Sequence, residues 1–196
     1  MNKSERTRQD IIEKTAVLFN EQGFAGTSYK HLMAATGLSK GCIYGHFESK
    51  DDLALAVFDF NISKLTSYFE ERISKKENSV DRLLVYPTTL RNFLTLPAWE
   101  GGCPILNTST EADDTHPLLK NRASNALISW QNKIEQLILV GIERGEIKSS
   151  TDVTELAVVI VLMIESSVMQ TKVTGRLLEL NIAMGFLEKM IRNIAR

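Results

Sequence analysis

Residues 27–53 read TSYKHLMAATGLSKGCIYGHFESKDDL and predict two short helices joined by a tight turn. Thr and Ser at the start of the stretch suit the cap of a helix over about 28–36, and Gly37 supplies the turn after it. A second short helix follows over about 39–47. Three apolar side chains lie where such a unit needs them to lock its helices together: Leu32, Leu38 and Ile43. The stretch therefore predicts a helix-turn-helix at residues 28–47, a unit that can place its second helix in the major groove of DNA.

Helical periodicity continues on both sides of this stretch, and no alternating run rich in Val, Ile and Thr indicates a sheet. Gly, Pro and capping residues mark the limits of the other helices. We expect these helices over about 7–22, 49–76, 79–95, 104–112, 117–144, 152–173 and 176–194. The prediction is an all-α fold of about nine helices, with one domain over residues 1–50 and a second over residues 51–196.

The composition is that of a globular protein, with 43% hydrophobic and 24% charged residues, which disfavours disorder. The first ten residues are polar, so we expect no secretory signal and a cytoplasmic protein. The longest apolar run, 156–164, is much shorter than the roughly 20 residues of a membrane span. Cys42 and Cys103 lie far apart and form neither a disulfide framework nor a CxxC metal motif. We expect no membrane, metal or cofactor.

Charge is distributed unevenly along the chain. Residues 1–50 contain seven Lys and Arg against five Asp and Glu, whereas the whole chain has a net charge of −1. This excess of positive charge permits an anionic partner at the N-terminal end.

Residues 7–58 resemble the N-terminal domain of the TetR family of transcriptional regulators. The resemblance rests on FNEQGF at 19–24, GTS at 26–28 and TGLSKGCIYGHFESKDDL at 36–53. It implies a repressor that binds a palindromic double-stranded DNA operator as a homodimer. It also implies that residues 51–196 bind a small-molecule effector, of unknown identity, and mediate dimerisation.

The residue types in this segment fit DNA binding. Backbone N–H groups and hydroxyls at the start of the first short helix can hold a phosphate, and Lys50 can hold another. Residues that open the second helix would project toward base edges. Tyr44 and His46 would contact phosphate or sugar. The candidate DNA-binding residues are Thr27, Ser28, Tyr29, Ser39, Lys40, Gly41, Cys42, Tyr44, His46 and Lys50.

Other positions in the segment concern packing. Phe47 is expected in the core, with Phe19, Phe24 and Leu53. Three residues depart from the common family pattern: Met33 where alanine is usual between the helices, Cys42 for a frequent threonine, and Gly45 for a larger residue. The Met33 side chain is expected to open the helix packing slightly, and the operator sequence cannot be inferred from a relative.

The last two helices are the expected dimer interface, because they are too apolar for a solvated surface. Their apolar residues are Leu156, Val159, Ile160, Met163, Ile164, Leu180, Met184, Leu187, Ile191 and Ile194. The alternative is that these side chains close the core of a single chain. Two-fold symmetry of the operator favours dimerisation.

The effector pocket is predicted from aromatic and polar residues on the helices that would surround it. The candidates are Phe60, Tyr68, Tyr86, Phe93, Trp99, Cys103, Trp130, Glu165 and Met169. Glu165 is the most informative, because a carboxylate within an apolar helix needs a partner, solvent or a polar ligand.

Cys103 opens an alternative. The segment GGCPILN at 101–107 resembles a Gly-Cys-Pro segment of one TetR subgroup, some members of which respond to electrophiles or oxidants. A cysteine at a helix N-terminus has a lowered pKa, so a redox- or electrophile-sensing repressor is a second hypothesis. A packed, unreactive cysteine is the other reading of the same residue.

The sequence also allows two further classes of function. A thiol enzyme could use Cys103 as nucleophile, His116 as base and Asp113 or Asp114 to orient it, and the same four residues could hold a metal. No oxyanion or cofactor motif accompanies them. An all-α interaction module that does not bind DNA is disfavoured by the TetR-like N-terminus.

Overall fold

A computed structural model of the chain describes residues 2–92, 96 and 99–196. Within these residues the chain forms nine α-helices, and the only strand pairing is an isolated bridge between Ile147 and Ala195. The helices are α1 Lys3–Gly26, α2 Tyr29–Thr36, α3 Lys40–Tyr44, α4 Lys50–Ser74, α5 Ser79–Leu90, α6 Pro104–Ala112, α7 Pro117–Glu143, α8 Val153–Thr174 and α9 Leu178–Asn193. The all-α prediction is confirmed.

The first helix begins earlier and ends later than predicted. Asn2 forms a capping box with Glu5, which starts α1 at Lys3. At the other end Gly23 does not stop the helix but kinks it, with φ of 71° and ψ of 179°, and a last turn continues to Gly26. The predicted end at about residue 22 is therefore the site of the kink.

The second helix of the helix-turn-helix is shorter than predicted and ends at Tyr44. The N–H of Gly45 bonds to the carbonyls of Gly41 and Cys42, and that of His46 bonds to Ile43. These contacts tighten the last turn and finish the helix before Phe47. The predicted continuation of α5 to residue 95 falls partly on residues 93–95, which lie outside the described residues.

The described residues form two compact units. The first unit comprises described residues of 1–65 and 98–125, and the second those of 66–97 and 126–196. The first unit thus contains α1 to α3 and the start of α4, together with α6 and the start of α7. The predicted domain boundary at residue 50 would separate α6 and the start of α7 from the helix-turn-helix, whereas these elements lie in one compact unit.

The core of the first unit contains most of the predicted residues. Leu32, Ile43 and Phe47 are buried together with Phe19 and Leu53, as predicted. The other two residues predicted for this core, Leu38 and Phe24, differ from the prediction because their side chains are only half-buried.

Met33 contradicts the expectation that it opens the packing between the helices. Its side chain is 39% exposed and points to the surface, since its position on α2 is turned away from Leu32, which is fully buried.

Most residues predicted for the dimer interface belong instead to the core of the second unit. Seven of the ten are buried within the chain: Leu156, Ile160, Ile164, Leu180, Met184, Leu187 and Ile191. The other three are half-buried: Val159, Met163 and Ile194. α8 and α9 pack on each other, and α9 packs on α5, so these side chains mainly form the core. The sequence did not reveal this because α8 is apolar on nearly all sides.

α8 is the one helix in the described ranges that is long and apolar enough to cross a membrane, judged by length and composition alone. Of its most apolar window, 39% is buried inside the chain. Core helices of proteins outside membranes pass the same test, so this is weak evidence for a span.

Candidate nucleic-acid interface

Local side-chain caps define the two helices of the helix-turn-helix. Ser28 Oγ accepts the His31 N–H at 3.3 Å, and His31 Nδ1 accepts the Ser28 N–H in return. Gly37 adopts φ of 72° and ψ of 12°, the left-handed conformation that the turn requires. Ser39 Oγ accepts the Cys42 N–H at 3.3 Å and caps α3. The same serines predicted to meet DNA therefore also hold the helix ends.

Two tyrosines and a lysine form a cluster across the two helices. The hydroxyls of Tyr29 and Tyr44 share a hydrogen bond, and their ring centroids lie 5.2 Å apart. Lys40 Nζ lies 4.6 Å from the Tyr29 ring centroid and 5.5 Å from that of Tyr44, within range of a cation–π contact. The cluster therefore holds the ammonium group of α3 against two aromatic rings.

The Tyr29 hydroxyl stays protonated at neutral pH. Burial and the hydrogen bond to Tyr44 raise the pKa of Tyr29 to about 12. A protonated phenol can donate a hydrogen bond to a phosphate oxygen.

Gly41 is exposed at the start of α3, and the protein itself does not need a glycine there. A Cβ added at Gly41 would meet no atom within 4 Å, and its φ is not positive. Close approach of another molecule to the backbone remains a reason for glycine at this position. Cys42, next to it, is half-buried.

Thr27 departs from the predicted set. Its side chain is fully buried, and its Oγ1 donates to the Gly23 carbonyl at 2.6 Å. The side chain is committed to the kink in α1, so a phosphate contact by this hydroxyl is not compatible with the structure. Sequence could not show this, because a threonine before a helix looks like a cap.

The structure brings the other predicted DNA residues into the first unit, on or beside α2 and α3. Lys50 begins α4 and places Nζ 4.2 Å from the Phe24 ring centroid. His46 is half-buried just after α3. Arg8 was not in the predicted set, and its Cζ lies 4.6 Å from the Phe47 ring centroid. This contact places a cation from α1 beside the end of α3, across a sequence separation that no local pattern reveals.

In the second unit, three of the predicted effector residues lie along one row of rings. Tyr68 contacts Phe69, Phe69 contacts Tyr86, and Tyr86 contacts Trp130, at centroid distances of 5.9, 5.1 and 6.2 Å. The row joins α4, α5 and α7. Phe69, a buried member, was missed because an aromatic side chain in a helix is most often core.

The other predicted effector residues are dispersed. Glu165 is half-buried and Met169 exposed on α8, in the second unit. Phe60, Trp99 and Cys103 belong to the first unit, where Trp99 and Cys103 are buried. Phe93 lies outside the described residues.

Tyr86 gives a testable pH dependence. Burial raises its pKa to about 12, against about 10 in an unfolded chain. The neutral phenol therefore stabilises the fold below about pH 10, and this contribution is lost as the pH rises through about 12. We expect Tyr86→Phe to lose about 2–3 kcal/mol less unfolding free energy than wild type over this range. Urea denaturation of both proteins from pH 8 to 12 measures their unfolding free energies, and the difference at pH 8 gives the effect of the substitution on packing. An equal loss of unfolding free energy with pH in the two proteins would contradict the prediction.

The alternative chemistry of Cys103 and His116 finds no geometric support. Cys103 is buried at the start of α6, whereas Asp113 and Asp114 are exposed after its end. The His116 ring packs edge-on against Phe24, and its Nδ1 accepts the Leu119 N–H at 3.2 Å. In the part of the chain that the structure describes, no three His, Cys, Asp or Glu residues cluster to hold a metal.

Comparison with known proteins agrees with the helix-turn-helix geometry. The family model described as "Bacterial regulatory proteins, tetR family" matches residues 11–57. The model described as "Tetracyclin repressor-like, C-terminal domain" matches residues 79–185. Together they cover the helix-turn-helix and most of the helices that follow.

Solved structures and relatives give the same result. A TetR-family regulator from Cytophaga hutchinsonii is 38% identical, with a TM-score of 0.94, over 100% of this chain and 98% of that one. A TetR regulator from Chloroflexus aurantiacus J-10-FL is also 38% identical, with a TM-score of 0.93, over 100% and 99%. The repressor DhaR of Mycobacterium sp. strain GP1 is 26% identical over 145 residues, 72% of this chain and 70% of that protein. The chain therefore belongs to the TetR family of DNA-binding transcriptional regulators, which are not enzymes.

Proposed function

We propose that the protein is a homodimeric repressor that acts in the cytoplasm, binds a palindromic operator and is released from it by a small-molecule effector. The observation that carries the proposal is an apolar stripe left exposed on α8 and α9. Repression is supported by the similarity to DhaR, which is described as a transcriptional repressor.

The exposed stripe is distinct from the buried faces of the same helices. Leu162 and Val173 on α8 are 62% and 81% exposed, and Ile182 and Phe186 on α9 are 64% and 57% exposed. Met169, Leu177 and Leu178 extend it. Large apolar side chains grouped in this way mark interaction surfaces. A two-fold pairing of the stripe with its copy would bury it and give each dimer two recognition helices, matching the two halves of a palindrome.

Within each protomer, α3 is the recognition helix of this proposal. Ser39, Gly41 and Cys42 would face base edges from its first turn, where Gly41 allows the backbone to come close. Lys40 with Tyr29 and Tyr44 would contact the DNA backbone, and so would Lys50 and Arg8, the cations that lie over Phe24 and Phe47 of the same unit.

The experiment for operator binding uses fragments of the genomic region that surrounds the gene. A palindromic fragment should be bound by the purified dimer with an affinity that falls as salt rises. No binding to any genomic fragment at low salt would contradict the proposal.

The effector site is proposed along the ring row of Tyr68, Phe69, Tyr86 and Trp130. Aromatic walls with a few polar groups are typical of small-molecule sites, and the phenol of Tyr86, whose ring contacts Trp130, is a polar group within this row. An effector would shift the dimer toward a state whose recognition helices no longer fit one DNA turn. Operator affinity measured with and without a panel of aromatic and amphipathic compounds tests this, and unchanged affinity across the panel would count against it.

A second candidate function is sensing through Cys103, as in the Gly-Cys-Pro subgroup. The burial of Cys103 favours a mechanical effect of modification. The thiol is fully buried directly before α6, and the neighbouring Gly102 carbonyl accepts a hydrogen bond from Asn20 of α1 at 2.9 Å. An oxidised or alkylated sulfur would not fit in this space and would displace the start of α6.

Cys103→Ser tests this second function. If Cys103 is the sensor, wild type should release operator DNA on treatment with oxidant or electrophile, whereas Cys103→Ser should remain bound. Cys42→Ser is the control, since it removes the other thiol; because Cys42 would face base edges, its response is compared with its own affinity before treatment, and it should still release DNA. A Cys103→Ser protein that releases DNA as wild type does would refute sensing at this residue.

A further inference from the structure

The end of α1 contains a turn that begins without a cap of its own. Gly23 breaks the helix, and the turn after it closes when the N–H of Thr27 bonds to the Gly23 carbonyl at 3.2 Å. The N–H groups of Phe24 and Ala25 therefore open a new helical turn. Such N–H groups have no carbonyl partner within their own turn and need an acceptor from elsewhere.

Glu111 of α6 supplies that acceptor. Its Oε2 accepts the Phe24 N–H at 2.8 Å, and its Oε1 accepts the Ala25 N–H at 2.7 Å. A carboxylate bonded to two N–H groups at the start of a turn is a charge-assisted cap. A side chain at Gly23 would obstruct it, since a Cβ there would overlap the carboxylate of Glu111. The glycine serves both the left-handed conformation and the close approach of Glu111.

Further contacts fasten α1 to the start of α6. Asn20 Nδ2 donates to the carbonyls of Glu100 and Gly102, both at 2.9 Å. Asn107 Nδ2 in turn donates to the Asn20 carbonyl at 2.9 Å. Glu111, in the later part of α6, thus holds the turn over residues 24–27. The residues at the beginning of α6 and just before it hold the preceding part of α1 through Asn20.

We infer that Glu111 is a positioning residue for operator binding: its carboxylate caps the turn that leads into the helix-turn-helix. Thr27 ends that turn, and Ser28, the next residue, caps α2. The direction in which α2 leaves α1 therefore depends on a carboxylate carried by α6. Movement of α6 would withdraw the cap and loosen the start of the helix-turn-helix; this last step rests on the effector response proposed above.

A small cavity of about 30 Å³ lies beside Glu111, and Phe19, Phe58 and Leu119 are part of its wall. A carboxylate that moved into this largely apolar space would lose its two N–H donors and be left without compensation for its charge. The hydrogen bonds to Phe24 and Ala25 therefore favour the position in which Glu111 caps the turn.

The test compares Glu111→Ala, Glu111→Gln and wild type in two measurements. One is affinity for the genomic fragment that wild type binds, and the other is hydrogen exchange of the Phe24 and Ala25 amides. Glu111→Ala should bind about tenfold or more weaker, the loss expected for a charged cap, and exchange both amides faster, with helix content and dimer retained. Glu111→Gln should lie between, because its amide oxygen can still accept one N–H.

Glu13→Gln is the control, since it removes the same charge from an exposed position on α1 and should behave as wild type. Wild-type affinity in Glu111→Ala, or unchanged exchange of the two amides, would overturn the inference. If Glu111→Ala does not fold, wild-type affinity in Glu111→Gln overturns it equally. A wild type that binds no genomic fragment contradicts operator binding and this inference together, whereas a wild type that binds beside an unaffected Glu111→Ala contradicts this inference alone.

Discussion

Phe186→Glu is expected to convert the dimer to monomers and to weaken operator binding by about a hundredfold or more, equivalent to about 2.7 kcal/mol. Phe186 lies in the exposed stripe of α9, one turn from Ile182. In a two-fold interface each substitution occurs twice, so two carboxylates would be buried without partners. The free energy that closes the interface would be lost, and a monomer reads only one half of a palindrome.

Sedimentation or light scattering measures the mass of the variant, and fluorescence anisotropy measures its operator affinity. Ile128→Glu is the matched control, because Ile128 is a large apolar residue of α7 that is 54% exposed. It should leave both the mass and the affinity as in wild type. A Phe186→Glu protein that remains a dimer at micromolar concentration would contradict the proposed interface.

Lys40→Glu is expected to weaken operator binding by about a hundredfold, with the fold and the dimer intact. The ammonium is held by the rings of Tyr29 and Tyr44 at the start of α3, so a carboxylate there would face the phosphates from a recognition helix. Reversing the charge removes the attraction between Lys40 and a phosphate and adds a repulsion between the new carboxylate and that phosphate. Each change is comparable in free energy to one phosphate contact. The slope of log affinity against log salt should also become shallower by about one or two.

The control for Lys40→Glu is Lys76→Glu, which makes the same charge change at an exposed position just beyond α4. A smaller general loss is expected from it, because Lys76 is not on the recognition helix and screening at physiological salt limits the range of a charge to about 8 Å. Equal losses in the two variants would show that net charge, and not the position on α3, determines the affinity. Retained affinity in Lys40→Glu would remove α3 from the interface.

Helix positions followed from local signals in the sequence. Pro104 and Pro117 begin α6 and α7 at the predicted residues, because proline suits the first turn of a helix. Gly37 forms the predicted left-handed turn of the helix-turn-helix. The kink at Gly23 was not predicted, since a glycine after a helix usually ends it and only the cap from Glu111 allows the next turn to form.

The candidate DNA site was predictable in composition but not in geometry. The residues around α2 and α3 come from one short stretch and so could be named from its pattern. The cation of Arg8 beside Phe47, the burial of Thr27 and the cluster of Lys40 with Tyr29 depend on where separate helices cross. No spacing within one helix encodes such a crossing.

The sequence by itself determined that this protein is all-α, that every helix except α1 begins within about two residues of its expected start, and that residues 28–47 contain a helix-turn-helix. Only the tertiary structure decided which side of α8 and α9 is core and which is the exposed stripe, and that α6 caps the end of α1. The reason is physical. Caps, turns and helix periodicity act over a few residues and can be recognised one segment at a time. A helix that is apolar on most sides has no preferred face until its neighbours pack on it, and the N–H groups of a turn gain a distant partner only when the chain folds.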